Sequence, residues 1–235
     1  MWLLSTAWAV PATTPDALAF EEAVARMEAA YKRADGASYT LYKTEYVDGE
    51  MTPEQELNVQ WRKPKDTVIV YGAAKEGRVV LYKGPDWNDG DMRVDPGRYQ
   101  PILNLDPRGA VAGMGERYTI HELMLSHAIP TVARDTWKVR DHPEWVGQVK
   151  AEGRQPTRGG EADCFHTKSP KHIDPTMYAY ETRACFSVAT GVPTLLQSWD
   201  VEDGELRMIE TYEFVDVDLT PDQTDATFEP ETYGM

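Results

Sequence analysis

Five histidines, two cysteines and one glycine-rich segment are the residues of this 235-residue chain whose types invite a chemical reading. His121 and His127 sit six apart. A helical zinc pair needs i,i+4 spacing so that both rings project from one face, and six residues carry the second ring through about 600°, to the opposed side. Cys164-Phe165-His166 with the nearby His172 is a better group, because Cys164 and His166 share a strand face. A four-ligand set is incomplete there, and Cys164 has a competing use as a disulfide partner. The surroundings of His166 and His172 are one example of where an unrecognised hydrolase could gather its polar groups. Gly109, Gly113 and Gly115 precede a capped segment at Thr119, so their amides could receive an anion, but a flexible loop entering a helix explains the same glycines. The chain carries no Gly-x-Ser-x-Gly elbow, phosphate-binding loop or dinucleotide fingerprint. The expectation is a protein without catalytic residues, metal or cofactor.

Charge narrows the partners. Lys and Arg number 24 against 39 Asp and Glu, a formal net charge of −15. Such a chain repels nucleic acid and anionic membrane surfaces, and no nucleic-acid partner is expected. Residues 1–12 read like the end of a signal peptide, an apolar run followed by small residues that suit cleavage after Ala9 or Ala12. No Lys or Arg precedes that run, no Cys follows the small residues, and no other run approaches the roughly 18 apolar residues of a membrane span. This predicts an exported, periplasmic or secreted protein with no transmembrane segment and a single domain over 13–235. Cys164 and Cys185 lie in strand-like runs on either side of a turn-rich stretch holding Ser169-Pro170 and Asp174-Pro175. Neighbouring strands could join them in a disulfide closing a loop of about 20 residues; two buried free thiols are the other reading.

The elements that would position these residues are mostly strands. Thr14-Pro15 is an N-cap and first-turn pair, and Phe20, Val24, Met27 and Tyr31 follow at helical spacing, with Gly36 expected to close the helix. Strand-like runs then occupy 38–47, 54–63, 67–71 and 78–83, separated by Asp48-Gly49, Pro64 and Glu76-Gly77. Loops fill 84–115, with a short strand over 92–95. Thr119 with Glu122 forms a capping-box pattern that predicts a mid-chain helix, kinked or divided at Pro130 and resuming to about Trp137. Strands return at 145–152, 163–168, 178–188, 193–199 and 205–216, with Thr190-Gly191 and Asp203-Gly204 as hairpin turns, and the acidic tail after Asp218 reads as loop. The fold class is therefore mainly β (α+β), an antiparallel meander forming a curved sheet around an N-terminal helix and a mid-chain helical insertion.

That order resembles the half-barrel of LolA-type and LolB-type lipoprotein carriers, and most closely an uncharacterised bacterial secreted family within that fold group. The residues carrying the likeness are 39–49 (YTLYKTEYVDG), 60–64, 76–84 (EGRVVLYKG), Leu105-Asp106-Pro107, 117–120, Gly153-Arg154, Cys164, Gly191-Val192-Pro193, Tyr212 and Ala226-Thr227-Phe228, in order over about residues 16–230. The resemblance implies a periplasmic protein whose concave apolar face accepts acyl chains of lipids or lipoproteins; it transfers no individual binding residue.

From alternation alone, Leu57, Val59, Trp61, Val68, Val70, Val79 and Leu81 are the candidates to line a cavity, and core packing against the helices is the competing reading of the same residues. The functional expectation is a non-enzymatic exported protein holding a lipid, acyl chain or lipoprotein. The alternative is an envelope interaction or sensing module whose interior is filled by its own helices.

Overall fold

The computed structural model describes residues 14–63, 67–72, 78–97, 100–112, 116–122, 124–142 and 148–235. The segment expected to be a signal peptide, the Glu76-Gly77 turn, Pro64, Gly113, Gly115 and the start of the strand expected at 145 lie outside these residues.

The first helix, α1 (Pro15–Arg33), begins as its sequence dictates: the Thr14 hydroxyl accepts from the Ala17 amide at 3.2 Å and Pro15 occupies the first turn. Phe20, Ala23, Val24, Met27 and Ala30 form its buried face. It ends at Ala34 in extended backbone, so Gly36 does not close it. Gly36 instead opens the first strand, where a Cβ would lie 2.6 Å from the Trp61 carbonyl oxygen; the glycine is there for close approach of two chains. The helix C-terminus is capped from another element, since Lys63 Nζ donates to the carbonyls of Tyr31 and Ala34 at 3.1 and 2.8 Å.

Among the described residues, β1 (Gly36–Val47), β2 (Glu50–Met51), β3 (Gln55–Arg62), β4 (Thr67–Gly72), β5 (Val79–Tyr82), β6 (Met92–Asp95) and β7 (Leu103–Leu105) precede the second helix. After it come β8 (Gln148–Thr157), β9 (Gly160–Lys168), β10 (Glu181–Ser187), β11 (Pro193–Glu202) and β12 (Glu205–Asp218). All pair antiparallel in one open sheet of order β7-β6-β5-β4-β3-β1-β12-β11-β10-β9-β8, with β2 beside β1. Two meanders thus run outward from a central pairing of the first and last strands, and the curved sheet wraps the two helices as the sequence predicts. Asp48-Gly49 and Asp203-Gly204 turn with positive φ at both positions, the left-handed geometry that two-residue hairpins require. Pro156 falls in β8, an edge strand, where its missing N–H costs no ladder bond.

The second helix, α2 (Leu125–Asp141), corrects two expectations. Glu122 does accept from the Thr119 amide and hydroxyl, both at 2.9 Å, but this pair closes a turn, and the helix starts only at Leu125. Pro130 lies inside the helix without dividing it. Trp137 Nε1 donates to Glu28 at 2.9 Å, and Asp16 accepts from the Ala151 amide at 3.0 Å, so α2 is fixed to α1 and α1 to β8. Phe20 of α1 meets Phe165 and Phe186 of the sheet at centroid distances of 5.4 and 6.1 Å.

The tail is not all loop. Short 3-10 turns at Asp225–Phe228 and Pro230–Tyr233 bring Phe228, fully buried, onto Ile69, Val79 and Leu81 on the outer face of the sheet. The cysteines form the disulfide, and they are directly opposed in the β9–β10 register. Ala162 and Leu195 flank them in a small outer-face cluster. A cross-link closing a loop of this length contributes about 3 kcal/mol.

Candidate functional site

Between α1, α2 and strands β8–β12 lies a cavity of about 680 Å³. Helix α2 presents Ala128, Val132 and Val139 to it, α1 presents Ala17 and Phe20, and the sheet presents Val149, Ala184 and Leu196. The sheet lining has an order set by register. Thr167, Thr182, Ser198 and Glu210 are consecutive cross-strand partners, so their side chains form one polar row across four strands, and Glu45 of β1 continues it opposite Glu210. The neighbouring row, Phe165, Ala184, Leu196 and Tyr212, is largely apolar.

The polar row is buried at its Ser198–Glu210 end and half-buried at Thr167 and Thr182. Glu210 is buried and accepts from Ser198 Oγ at 2.7 Å and from the Tyr178 hydroxyl at 2.7 and 2.8 Å. Tyr178 belongs to the β9–β10 connection, whose backbone is held to α2: Asp135 accepts from the Tyr178 amide at 2.7 Å, and Lys138 pairs with Asp174 at 2.9 Å. Hydrogen bonds from Thr176 and from Lys138 hold the Asp174 carboxyl down to about 2. Burial raises the Glu210 carboxyl above its ordinary range, opposed by its hydrogen bonds from Ser198 and Tyr178 and reinforced by the neighbouring Glu45. Burial lowers the His127 imidazole, which faces the cavity 3.3 Å from Thr131 Oγ1.

The raised Glu210 carboxyl fixes a sign. A carboxyl whose pKa is higher folded than unfolded binds more protons in the folded state, so its contribution to stability falls as pH rises from the unfolded value toward the folded one. Glu210→Gln removes this penalty while keeping the acceptor. The stability advantage of the variant over the parent chain should therefore grow as pH rises above about 4.5. Parallel urea titrations of both proteins from pH 4 to pH 8 measure this; an advantage that shrinks with pH contradicts the assignment.

Beside the cavity, buried charges pin the segment before α2. Lys43 and Glu45 have side chains 1% exposed, with Lys43 Nζ 3.3 Å from Glu45 and also paired with Glu116. Glu45 accepts from the Tyr212 hydroxyl and from the Arg117 amide at 2.9 Å, while Arg117 pairs with Glu202 at 2.7 Å.

None of the seven residues proposed from alternation lines this cavity. Val59, Trp61, Val68 and Val70 are buried in the main core and Leu57 packs against it, whereas Val79 and Leu81 lie on the opposite face under Phe228. His166 borders the cavity, but its side chain is on the strand face of Cys164, its ring 5.8 Å from that of Trp199 and its Nε2 3.0 Å from Glu181, and His172 is exposed in the β9–β10 connection. His121 sits against Tyr82 at 4.7 Å, before α2 begins. Among the described residues no group of three or more His, Cys, Asp or Glu is placed to hold a metal ion, and no helix is long and apolar enough to cross a membrane.

Residues 35–233 match the model of a protein family of unknown function, DUF1571. The chain belongs to this family. No curated protein matches this DUF1571 member. Its fold resembles the LolA-type half-barrels, as expected. Similar solved structures include the Mycobacterium tuberculosis lipoprotein LppX, at 12% identity and TM-score 0.48, covering 88% of this chain and 97% of that one. A LolA superfamily protein from Nitrosomonas europaea is 12% identical at TM-score 0.36, over 89% and 98% of the two chains. The Pseudomonas aeruginosa MucA/MucB complex is 14% identical at TM-score 0.43, covering 91% of this chain and 61% of that one. This chain thus spans about three fifths of the MucA/MucB chain it matches.

Proposed function

We propose that this DUF1571 chain is an exported, periplasmic, non-enzymatic binding protein that holds the acyl chain of a lipid or lipoprotein between α1, α2 and strands β8–β12. The observation that carries the reading is the cavity of about 680 Å³. Its volume falls within roughly the 300–1,000 Å³ of small-molecule sites, and its walls combine apolar side chains with a few convergent polar groups. An interior filled by its own helices would leave no such space, because protein cores close to crystal-like density.

Val132 projects from α2 into the cavity and is only partly buried, so a larger side chain there occupies ligand volume. Val132→Trp should weaken binding of a fluorescent long-chain acyl probe by about tenfold or more, with the fold retained by far-UV circular dichroism. Unchanged probe affinity in a folded variant would contradict the cavity reading and favour an envelope interaction module.

A further inference from the structure

The polar row is an odd floor for a cavity that holds hydrocarbon alone. A methylene chain laid on Ser198, Thr182, Thr167 and Glu210 gains nothing from them, and any of their groups that loses water without a partner is penalised. Register places these four residues side by side across four neighbouring strands, a span of about 14 Å. All four border the cavity. Three bear hydroxyls and the fourth is a carboxyl group; Ser198 and Thr167 already donate, to Glu210 at 2.7 Å and to the Thr182 carbonyl at 3.2 Å, and keep lone pairs that can accept.

The floor also discriminates by charge. Glu210 has Glu45 as its direct cross-strand neighbour, and both are buried. The nearby cations are turned to other partners: Lys43 to Glu45 and Glu116, Arg117 to Glu202. An anionic group brought to this floor meets carboxyl oxygens without a facing cation. An uncharged hydroxyl can donate to a Glu210 oxygen and accept from the Thr182 hydroxyl. Arg140, Lys150 and Lys168 also border the cavity but are exposed, and Lys168 is paired with Glu181 at 3.0 Å.

We infer that the ligand is an uncharged, hydroxyl-bearing single-chain amphiphile of the monoacylglycerol type, whose headgroup lies along the Thr167–Thr182–Ser198–Glu210 row while its chain occupies the apolar space under α1 and α2. This rests on the cavity reading above and adds the headgroup class and its position.

The test compares 1-monopalmitoylglycerol with palmitate at pH 7.4, below their micellar concentrations, by displacement of the acyl probe from the full chain. Monopalmitoylglycerol should bind about tenfold or more tightly than palmitate. Thr182→Val, which keeps shape and strand preference, and Ser198→Ala should each reduce monopalmitoylglycerol affinity by about tenfold. Palmitate binding as tightly as monopalmitoylglycerol, held at the exposed lysines and Arg140, overturns the headgroup inference and leaves the cavity reading standing. Full monopalmitoylglycerol affinity in both variants overturns it as well. Failure of both amphiphiles and of the probe to bind the parent chain removes the cavity reading together with the inference.

Discussion

Lys43→Met is expected to lower the unfolding free energy by about 3 to 5 kcal/mol, the usual cost of leaving a buried ion without its partner. The strand period puts Tyr39, Leu41, Lys43 and Glu45 on one face of β1, and all four are buried. A methionine fills much of the lysine's volume but leaves Glu45 and Glu116 without their shared cation. Glu45 keeps its hydrogen bonds from Tyr212 and from the Arg117 amide, which places the effect toward the lower end of that range. Adding Glu45→Gln should recover part of the loss, because the buried charge goes with the cation that matched it. Urea unfolding of the single and double variants decides it; a loss under about 1 kcal/mol for Lys43→Met would mean that water reaches this pair.

Trp61→Ala is expected to lower stability by about 3 to 5 kcal/mol. Trp61 is 2% exposed, stacks on Tyr31 of α1 at a centroid distance of 5.6 Å, and lies opposite Ala37 on β1 and Val68 on β4. Truncation opens a hole between the sheet and α1 that the rigid β1–β3–β4 ladder cannot close. Lys63, whose ammonium lies 4.6 Å from the Tyr31 ring and caps α1, also loses part of its setting. Because Trp61 is a core residue outside the cavity, acyl-probe affinity of the folded variant should stay close to that of the parent chain. Denaturant melts and probe titrations of the one protein separate these effects; a stable variant that no longer binds the probe would restore Trp61 to the ligand site.

The first helix and the hairpins were legible in the sequence because their signals are local. Thr14-Pro15, Asp48-Gly49 and Asp203-Gly204 each determine their own conformation, and Leu57, Val59 and Trp61 alternate cleanly with Asn58, Gln60 and Arg62. Gly36 misled because a neighbour outside its own element decided its role: it answers to Trp61 across the ladder.

The cavity escaped a reading by hydropathy because its floor is polar. Thr167, Thr182, Ser198 and Glu210 are residues whose polar type points to solvent, and only register, which turns and hydrophobic pattern fix jointly, lines them up. One signal was available. Lys43 and Glu45 share a strand face with Tyr39 and Leu41, as Glu210 does with Tyr212 and Phe214, and charges in phase with large buried residues mark an interior polar patch. Val79 and Leu81 mark the reverse case. Val68, Ile69 and Val70 form a continuous apolar run, the mark of a strand covered on both faces, and the second cover is Phe228 from the far end of the chain.

The most direct measurement is native mass spectrometry of the full chain purified from an envelope fraction, with lipid analysis of whatever is released on denaturation. A single-chain lipid at one per polypeptide, lost from Val132→Trp, is the result predicted here. A bare polypeptide mass that stays bare after exposure to envelope lipids would contradict the claim that the space between the helices and β8–β12 is a lipid site.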